Sequence, residues 1–410
     1  MKKVVILLLF LNFVNALNLK GIIDFIDSKN GYIKAKEFEL LSKNSDILAI
    51  KSSYMPTVDI FASYNKNSPK NITTPGVIKS YGVAINAKIY DGGKRANDIK
   101  AKYALKGATA YELKALKRSL KIKAINLYYS YFKALANKKA LLDEKKVIKA
   151  QIDRIEKFIN SGMATGVNLD RLRAFLAQNE YALSEVELNI KSIIESLNIL
   201  THKKFNSLSY SHFLTPKRVV FSKNEDVLKL ISMAKALKYN ENSAKSAKRL
   251  QVNLSYRYKK NSYEMVESSP FGGLPNHNMN LNLNANLRVF DGGVTARRVE
   301  SIKYQKLALI SRAKELEREQ KRDFKLAKLK LNTIKSNIKS AKMALNASNS
   351  NFLSVKKQYE AGLVDYVTFL DALTQKSLSY SRYKSAIYDY EIAKAYVYYY
   401  GGKNLKGYIK

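Results

Sequence analysis

The sequence has no cysteine and no tryptophan, and only three histidines and six prolines among 410 residues. Without Cys there is no disulfide, no thiolate zinc site, no iron–sulfur cluster, no cysteine nucleophile and no lipid on an N-terminal Cys. His202, His212 and His277 are scattered. They make no histidine-based metal centre, and no cofactor is expected. Carboxylates are scarce as well: 34 Asp+Glu face 72 Lys+Arg, a formal charge of +38. That balance attracts polyanions, so a nucleic acid is the first partner to weigh. No nucleophile–base arrangement, phosphate loop or ligand cluster is visible, and an enzyme is not expected.

The N-terminus argues against nucleic acid. Lys2 and Lys3 precede an apolar run from Val4 to Leu11, continued by Phe13 and Val14. Val14-Asn15-Ala16 then offers small residues at a cleavage point, so residues 1–16 read as a secretory signal peptide. The run is too short to span a bilayer, which takes ~20 residues, and no later segment approaches that length. An exported, cysteine-free chain fits a periplasm or outer membrane and does not meet chromosomal DNA.

What is present is a repeat. Ile89-Tyr90-Asp91-Gly92-Gly93 returns as Val289-Phe290-Asp291-Gly292-Gly293, an offset of 200 residues. The turn opening at Gly162 (Gly-Met-Ala-Thr-Gly-Val) returns at Gly362 (Gly-Leu-Val-Asp-Tyr-Val), again 200 residues on. Two landmarks in one order and register point to duplication. The first copy is expected over 17–210 and the second over 211–410.

Between landmarks the period is helical. Leu113, Leu120, Leu127, Ala134, Leu141, Ile148 and Ile155 stand seven apart. Leu172, Leu176, Asn179, Leu183 and Val186 alternate spacings of four and three, as do Phe324, Ala327, Leu331, Ile334 and Ile338. No Pro interrupts the chain between Pro75 and Pro216 or after Pro275. Long hairpins in coiled-coil-like packing are therefore expected over 95–202, turning near 162–166, and over 295–400, turning near 362–366. Their first helix would be on the order of 100 Å long. Thr165 and Asp365 hold the same repeat position and can each cap a returning helix. A shorter helix is expected over 223–248, and short helices open the first copy.

Elsewhere the period is two. Asn280-Leu-Asn-Leu-Asn-Ala-Asn-Leu-Arg-Val289 alternates without a slip. Strands are expected at 56–65, 81–90, 251–259 and 280–290, with Pro/Asn/Ser/Gly-rich loops within each pair. One apolar face suits a soluble sheet, or a membrane barrel with a wet lumen. Four strands cannot close such a barrel, since the smallest have about eight, so a barrel would need several chains.

On these residues the chain resembles the TolC-type outer-membrane channel family, the exit ducts of tripartite efflux pumps and type I secretion systems. The resemblance rests on the export signal, the duplication, the two aromatic-Asp-Gly-Gly junctions and the Gly-led turns. It spans nearly all of residues 17–410. Leu17-Asn-Leu19-Lys-Gly-Ile-Ile resembles the opening helix, and Tyr54-Met55-Pro56 resembles the Leu-Pro before the first strand. The second copy lacks that Pro, and Gly166 stands where a larger residue is usual. The resemblance implies an α+β membrane protein: a homotrimer with a 12-stranded β-barrel continuous with a 12-helix α-barrel. It implies a passive duct in outer-membrane lipid, reaching into the periplasm, with a periplasmic adaptor and an inner-membrane transporter as partners. A periplasmic coiled-coil adaptor or scaffold is the alternative. It would carry one hairpin between β domains, not two hairpins and two strand pairs.

The resemblance also carries candidate residues. Asp371 falls where the family places an acidic residue at the periplasmic entrance, and three copies would make a carboxylate ring. An exposed acid in a helix's first turns is the plainer reading. Thr368, Asp365, Asn168 and Asp170 complete the entrance set. Gly162, Met163, Gly362 and Leu363 match the adaptor contacts at the hairpin tips, though turn geometry alone accounts for the glycines. Asp91 and Asp291, each followed by Gly-Gly, suit turn and capping chemistry far better than a paired-carboxylate active site. The tyrosines from Tyr388 to Tyr400 read as packing against neighbouring helices.

Overall fold

The computed structural model describes residues 17–68, 75–161, 166–264 and 274–410. The signal-peptide expectation at 1–16 and the first turn with Gly162, Met163 and Thr165 lie outside the described residues. Helices α1 (Leu19–Lys29) and α2 (Gly31–Ser52) precede strands β1 (Thr57–Lys66) and β2 (Val77–Tyr90). Helices α3 (Lys94–Asn160) and α4 (Gly166–Thr201) follow, then α5 (Glu225–Lys245). Strands β3 (Gln251–Glu264) and β4 (His277–Asn286) precede α6 (Val294–Glu360) and α7 (Tyr366–Tyr400). Both α3 and α6 run unbroken for 67 residues.

Two compact units form. One takes Lys36–Glu112 and Asp226–Glu315; the other takes Met1–Ala35, Leu113–Glu225 and Leu316–Lys410. Each unit draws on both sequence halves.

The first unit holds the sheet. Its order is β1-β2-β3-β4, every pair antiparallel. Register turns the period-two pattern into two faces. Val58, Ile85, Tyr256 and Leu281 stand in one cross-strand row, and Ile60, Val83, Tyr258 and Met279 in the next. The opposite face carries rows such as Asp59, Ala84, Arg257 and Asn280. The apolar face is bare: Ile60 is 86% exposed and Leu281 70%. The central strands are longer than expected, 14 residues each. The last strand is shorter. β4 ends at Asn286, not near 290, because its partner β3 begins at Gln251 opposite that residue. Alternation persists through Leu287 and Val289, but alternation without a partner strand makes no ladder.

The second unit is a helical bundle with a girdle of extended chain. Its main core joins α1 (Leu19, Ile22, Ile23, Ile26) to Ile125, Tyr128, Tyr129 and Phe132 of α3, to Leu197 of α4 and to Phe213. The Tyr129 hydroxyl donates to the Ser211 carbonyl at 3.0 Å. Two bridges, Leu17 to Leu208 and Phe213 to Ile409, tie the girdle together. The tyrosines near the C-terminus pack as expected. Tyr398 is buried and stacks on Tyr408 at 3.8 Å, and the Tyr396 hydroxyl accepts from Asn126 at 2.9 Å.

One buried ion pair fastens the girdle to α7. Glu391 and Lys394 lie 2.6 Å apart, with 8% and 6% of their side chains exposed. Glu391 accepts the Phe213 N–H at 2.7 Å, and Lys394 donates to the Phe213 carbonyl at 2.8 Å. Removing one partner of such a pair leaves an uncompensated buried charge, which costs about 3–5 kcal/mol. Glu391→Ala is expected to lower the melting temperature of the detergent-purified protein markedly. Glu391→Gln, which keeps an acceptor for Phe213, is expected to lower it less.

Candidate functional site

The four helix ends nearest the two hairpin turns meet around one apolar cluster. Ile148, Ile152 and Ile155 of α3, Leu172 of α4, Phe352 and Val355 of α6, and Phe369 and Leu373 of α7 are all buried in it. Tyr359 stacks on Phe369 with ring centroids 4.8 Å apart. The Arg154 guanidinium donates to the Glu360 carbonyl at 3.2 Å, joining the end of the first hairpin's outgoing helix to that of the second.

The second turn is fully described. Gly362 has φ +74°, which an L side chain resists, and it ends α6. The Gly362 N–H donates to the Tyr359 carbonyl at 3.1 Å and the Leu363 N–H to the Gln358 carbonyl at 2.8 Å. Asp365 then caps α7, accepting the Thr368 N–H at 2.9 Å and its hydroxyl at 2.5 Å. The Thr368 donors hold the Asp365 carboxyl below its ordinary value. Leu363 is 76% exposed.

The entrance candidates thus divide. Asp365 and Thr368 are tied to each other in the cap. Asp371 is exposed between buried Leu370 and Ala372, and Asp170 is exposed in the first turns of α4. Asn168 is half-buried beside it.

At the two strand-to-helix junctions the carboxylates are committed to backbone. Asp91 accepts the Gly93 N–H at 3.1 Å and the Arg95 N–H at 3.0 Å. Arg95 also donates from Nε to Asp91 at 2.8 Å and reaches the Ser53 and Lys88 carbonyls. Burial opposes ionisation of Asp91, but these donors outweigh it and lower its pKa. Asp291 accepts the Gly293 N–H at 3.1 Å and the Thr295 N–H at 3.0 Å. Donors from Thr295 and Lys248 pull it down to about 2. Gly92 and Gly93, at φ +67° and +84°, recur as Gly292 and Gly293 at +62° and +86°. Both carboxylates are spent on backbone N–H groups and a neighbouring cation at the start of a helix, so they are turn residues.

Sequence reasoning missed Glu144. It is buried at the junction of α3, α4 and α7, and among the described residues it makes no ion pair. It accepts from Asn179 Nδ2 at 3.3 Å, Thr374 at 3.4 Å and Ser377 at 3.2 Å. Asn179 Oδ1, buried beside it, has no partner. A cavity of about 70 Å³ adjoins the carboxyl, and Asp143, Asn349, Lys376 and Tyr380 face it there. The signal was available: Asn137, Glu144 and Gln151 stand seven apart, three residues after Ala134, Leu141 and Ile148. That position of a heptad faces a neighbour as well.

The model of the outer membrane efflux protein family matches residues 27–201 and 221–400. The chain belongs to that family. Its members are outer-membrane efflux channels, which sets aside both the nucleic-acid binder and the adaptor alternative. No curated protein sequence matches the chain. Among solved structures it is similar to the Campylobacter jejuni CmeC outer membrane channel, with TM-score 0.82, 18% identity, and 96% and 87% of the two chains covered. The Vibrio cholerae outer membrane protein VceC gives 0.79 at 14% identity, covering 94% and 96%. The open state of the Neisseria gonorrhoeae MtrE outer membrane channel gives 0.76 at 14% identity, covering 95% and 89%. At these identities the likeness is one of fold. No described helix is long and apolar enough to cross a bilayer.

Glu144 generates a pH prediction. Burial raises its pKa, so the fold favours the neutral acid. For a raised carboxyl the contribution is fullest below the unfolded value of ~4.3 and is lost as pH rises through the folded value. Measured against Glu144→Gln, the melting temperature of the wild type should therefore fall from acidic to neutral pH. Carboxylates held low, such as Asp91 and Asp291, act in the opposite sense but alike in both proteins. A difference that stays constant over that range would remove Glu144 as a cause.

Proposed function

We propose that three copies of this chain form the exit duct of an export machine, twelve strands in the outer membrane and twelve helices in the periplasm. The observation that carries this reading is the sheet. Among the described residues it has four strands, an open edge on β1 and another on β4, and one face whose central rows are apolar, with Lys79, Lys260 and His277 on that face only toward the loops within each strand pair. In lipid every backbone donor and acceptor must be paired, so spanning sheets close on themselves. A single four-stranded sheet cannot close; three joined β4 to β1 can. Ten-residue edge strands match the 9–11 residues of a transmembrane strand.

The helices support the same closure. In the bundle unit α4 exposes Ala174, Ala177, Tyr181 and Leu188 at helical spacing. α6 exposes Leu326, Leu329, Thr333, Ser336, Ser340 and Met343 on the side away from its buried seam. Two small-and-apolar seams without partners in one chain suit each other in adjacent copies.

In this reading the duct conducts passively. A periplasmic adaptor meets the turns through Gly362 and Leu363, with Gly162 and Met163 at the matching tip, and an inner-membrane transporter supplies the cargo. Asp371 and Asp170, from the two hairpins, are the exposed carboxylates at the entrance, flanked by Asn168 and the Asp365–Thr368 cap. Like charges brought together in a trimer hold cations. Detergent-extracted protein is expected at three times the chain mass by native mass measurement, and bilayers containing it should conduct in discrete steps. Asp371→Ala should leave that mass unchanged and raise the open fraction. A monomeric, non-conducting protein would sink the reading.

A further inference from the structure

Helix α6 carries a third stripe that the channel reading does not use. One seam, with Phe324, Ala327 and Leu331, is buried against Ala393 and Val397 of α7. The opposite seam, from Leu326 to Met343, is the one assigned above to a neighbouring copy. On one flank between them run Lys321, Lys325, Lys328, Lys335, Lys339 and Lys342, with Asn332 filling the gap. The spacing alternates four and three, so the row keeps to one side of the helix for about 30 Å. All seven side chains are exposed. From residue 324 to 359 the helix has no Asp or Glu. The other flank, with Lys330, Asn337, Ala344 and Asn351, is nearly neutral. Lysines serving only solubility have no reason to keep to one flank.

The row also enters a groove. Lys328 and Asn332 line a cavity of about 520 Å³ together with Lys217, Arg218, Val219 and Val397. Lys328 lies over the Phe324 ring at 4.2 Å. The groove therefore offers three cations, no carboxylate, and apolar contacts from Val219, Leu331 and Val397.

We propose that this flank of α6 docks an acidic α-helix of a partner protein. Its Asp and Glu recur at alternating four and three along the lysine row, and one apolar side chain enters the groove beside Lys217 and Arg218. A helix is favoured over other polyanions by the period. Two helices of matched repeat keep every charge pair in register, and an apolar groove at one end fixes the offset. The site is separate from the hairpin tips and goes beyond the channel reading.

The test uses the full chain in detergent and a labelled synthetic helix of about 25 residues, with Glu at four-three spacing and Leu at one end. A second peptide of equal composition spreads its Glu around the helix. The first is expected to bind, and to be released by about 0.5 M salt because the pairs are exposed. The second peptide should bind about tenfold more weakly, as should the first to a Lys335→Glu, Lys339→Glu, Lys342→Glu variant. Arg218→Glu should also weaken binding, whereas Lys330→Glu on the other flank should not. Trimer mass and conductance are read on each variant, so loss of the channel is told apart from loss of docking. Equal binding of both peptides overturns the proposal. So does binding of polyglutamate or isolated cell-wall sacculi as tight as that of the first peptide, and so does no binding of any peptide.

Discussion

A sheet that ends in open edges sets the terms for everything else in this chain. β1 and β4 each leave a row of backbone N–H and C=O groups without a partner strand among the described residues, and the central rows of one sheet face are apolar. In water that combination invites aggregation. In lipid it is tolerable only if the edges pair with other copies. The register of the ladder decides which residues share the apolar face. A slip of one residue would exchange Ile60 for Asp59 and Leu281 for Asn280. Gly82 guards that register from within, since a Cβ there would lie 2.0 Å from the Tyr258 carbonyl oxygen.

The helices repeat the logic with a different period. Each long helix has more than one side to satisfy, so its composition changes by stripe. Apolar residues fill the seams used within the chain, small and apolar residues fill the seams left for a neighbour, and lysines fill a flank. Between α3 and α7 the seam turns polar: Asn137 accepts from Ser381 at 3.2 Å, and Glu144 from Thr374 and Ser377. Such layers fix which residues face each other at a cost in stability. At the junctions, Asp-Gly-Gly resolves a problem common to both copies. In both copies the chain must turn into a helix within three residues of Tyr90 or Phe290, which takes two left-handed backbones and a carboxylate for the first helical N–H groups.

Legibility from sequence followed the range of the interactions. Asp91 and Asp291 were readable because their partners lie two and four residues away. The hairpins were readable because a seam imposes its period for dozens of residues. The end of β4 was not, because Leu287 and Val289 keep alternating after the partner strand has run out. Glu144 was not, because a lone carboxylate on a helix reads as solvated until the helices beside it are known. The girdle around Phe213 was invisible for the same reason: its hydrogen bonds go to Glu391 and Lys394, nearly 180 residues away. Net charge misled at first. The +38 is real, but on α6 it is organised by flank.

The central claim is that three open-edged sheets close one barrel, and the absence of native cysteine makes it directly measurable. One Cys placed in β1 and one in β4, both on the apolar face, would be oxidised in membranes and resolved by denaturing electrophoresis. The account predicts, for some pairs along the two strands, a covalent ladder that stops at three chains. A ladder ending at two, or chains that cross-link only within themselves at every pair tried, would contradict it.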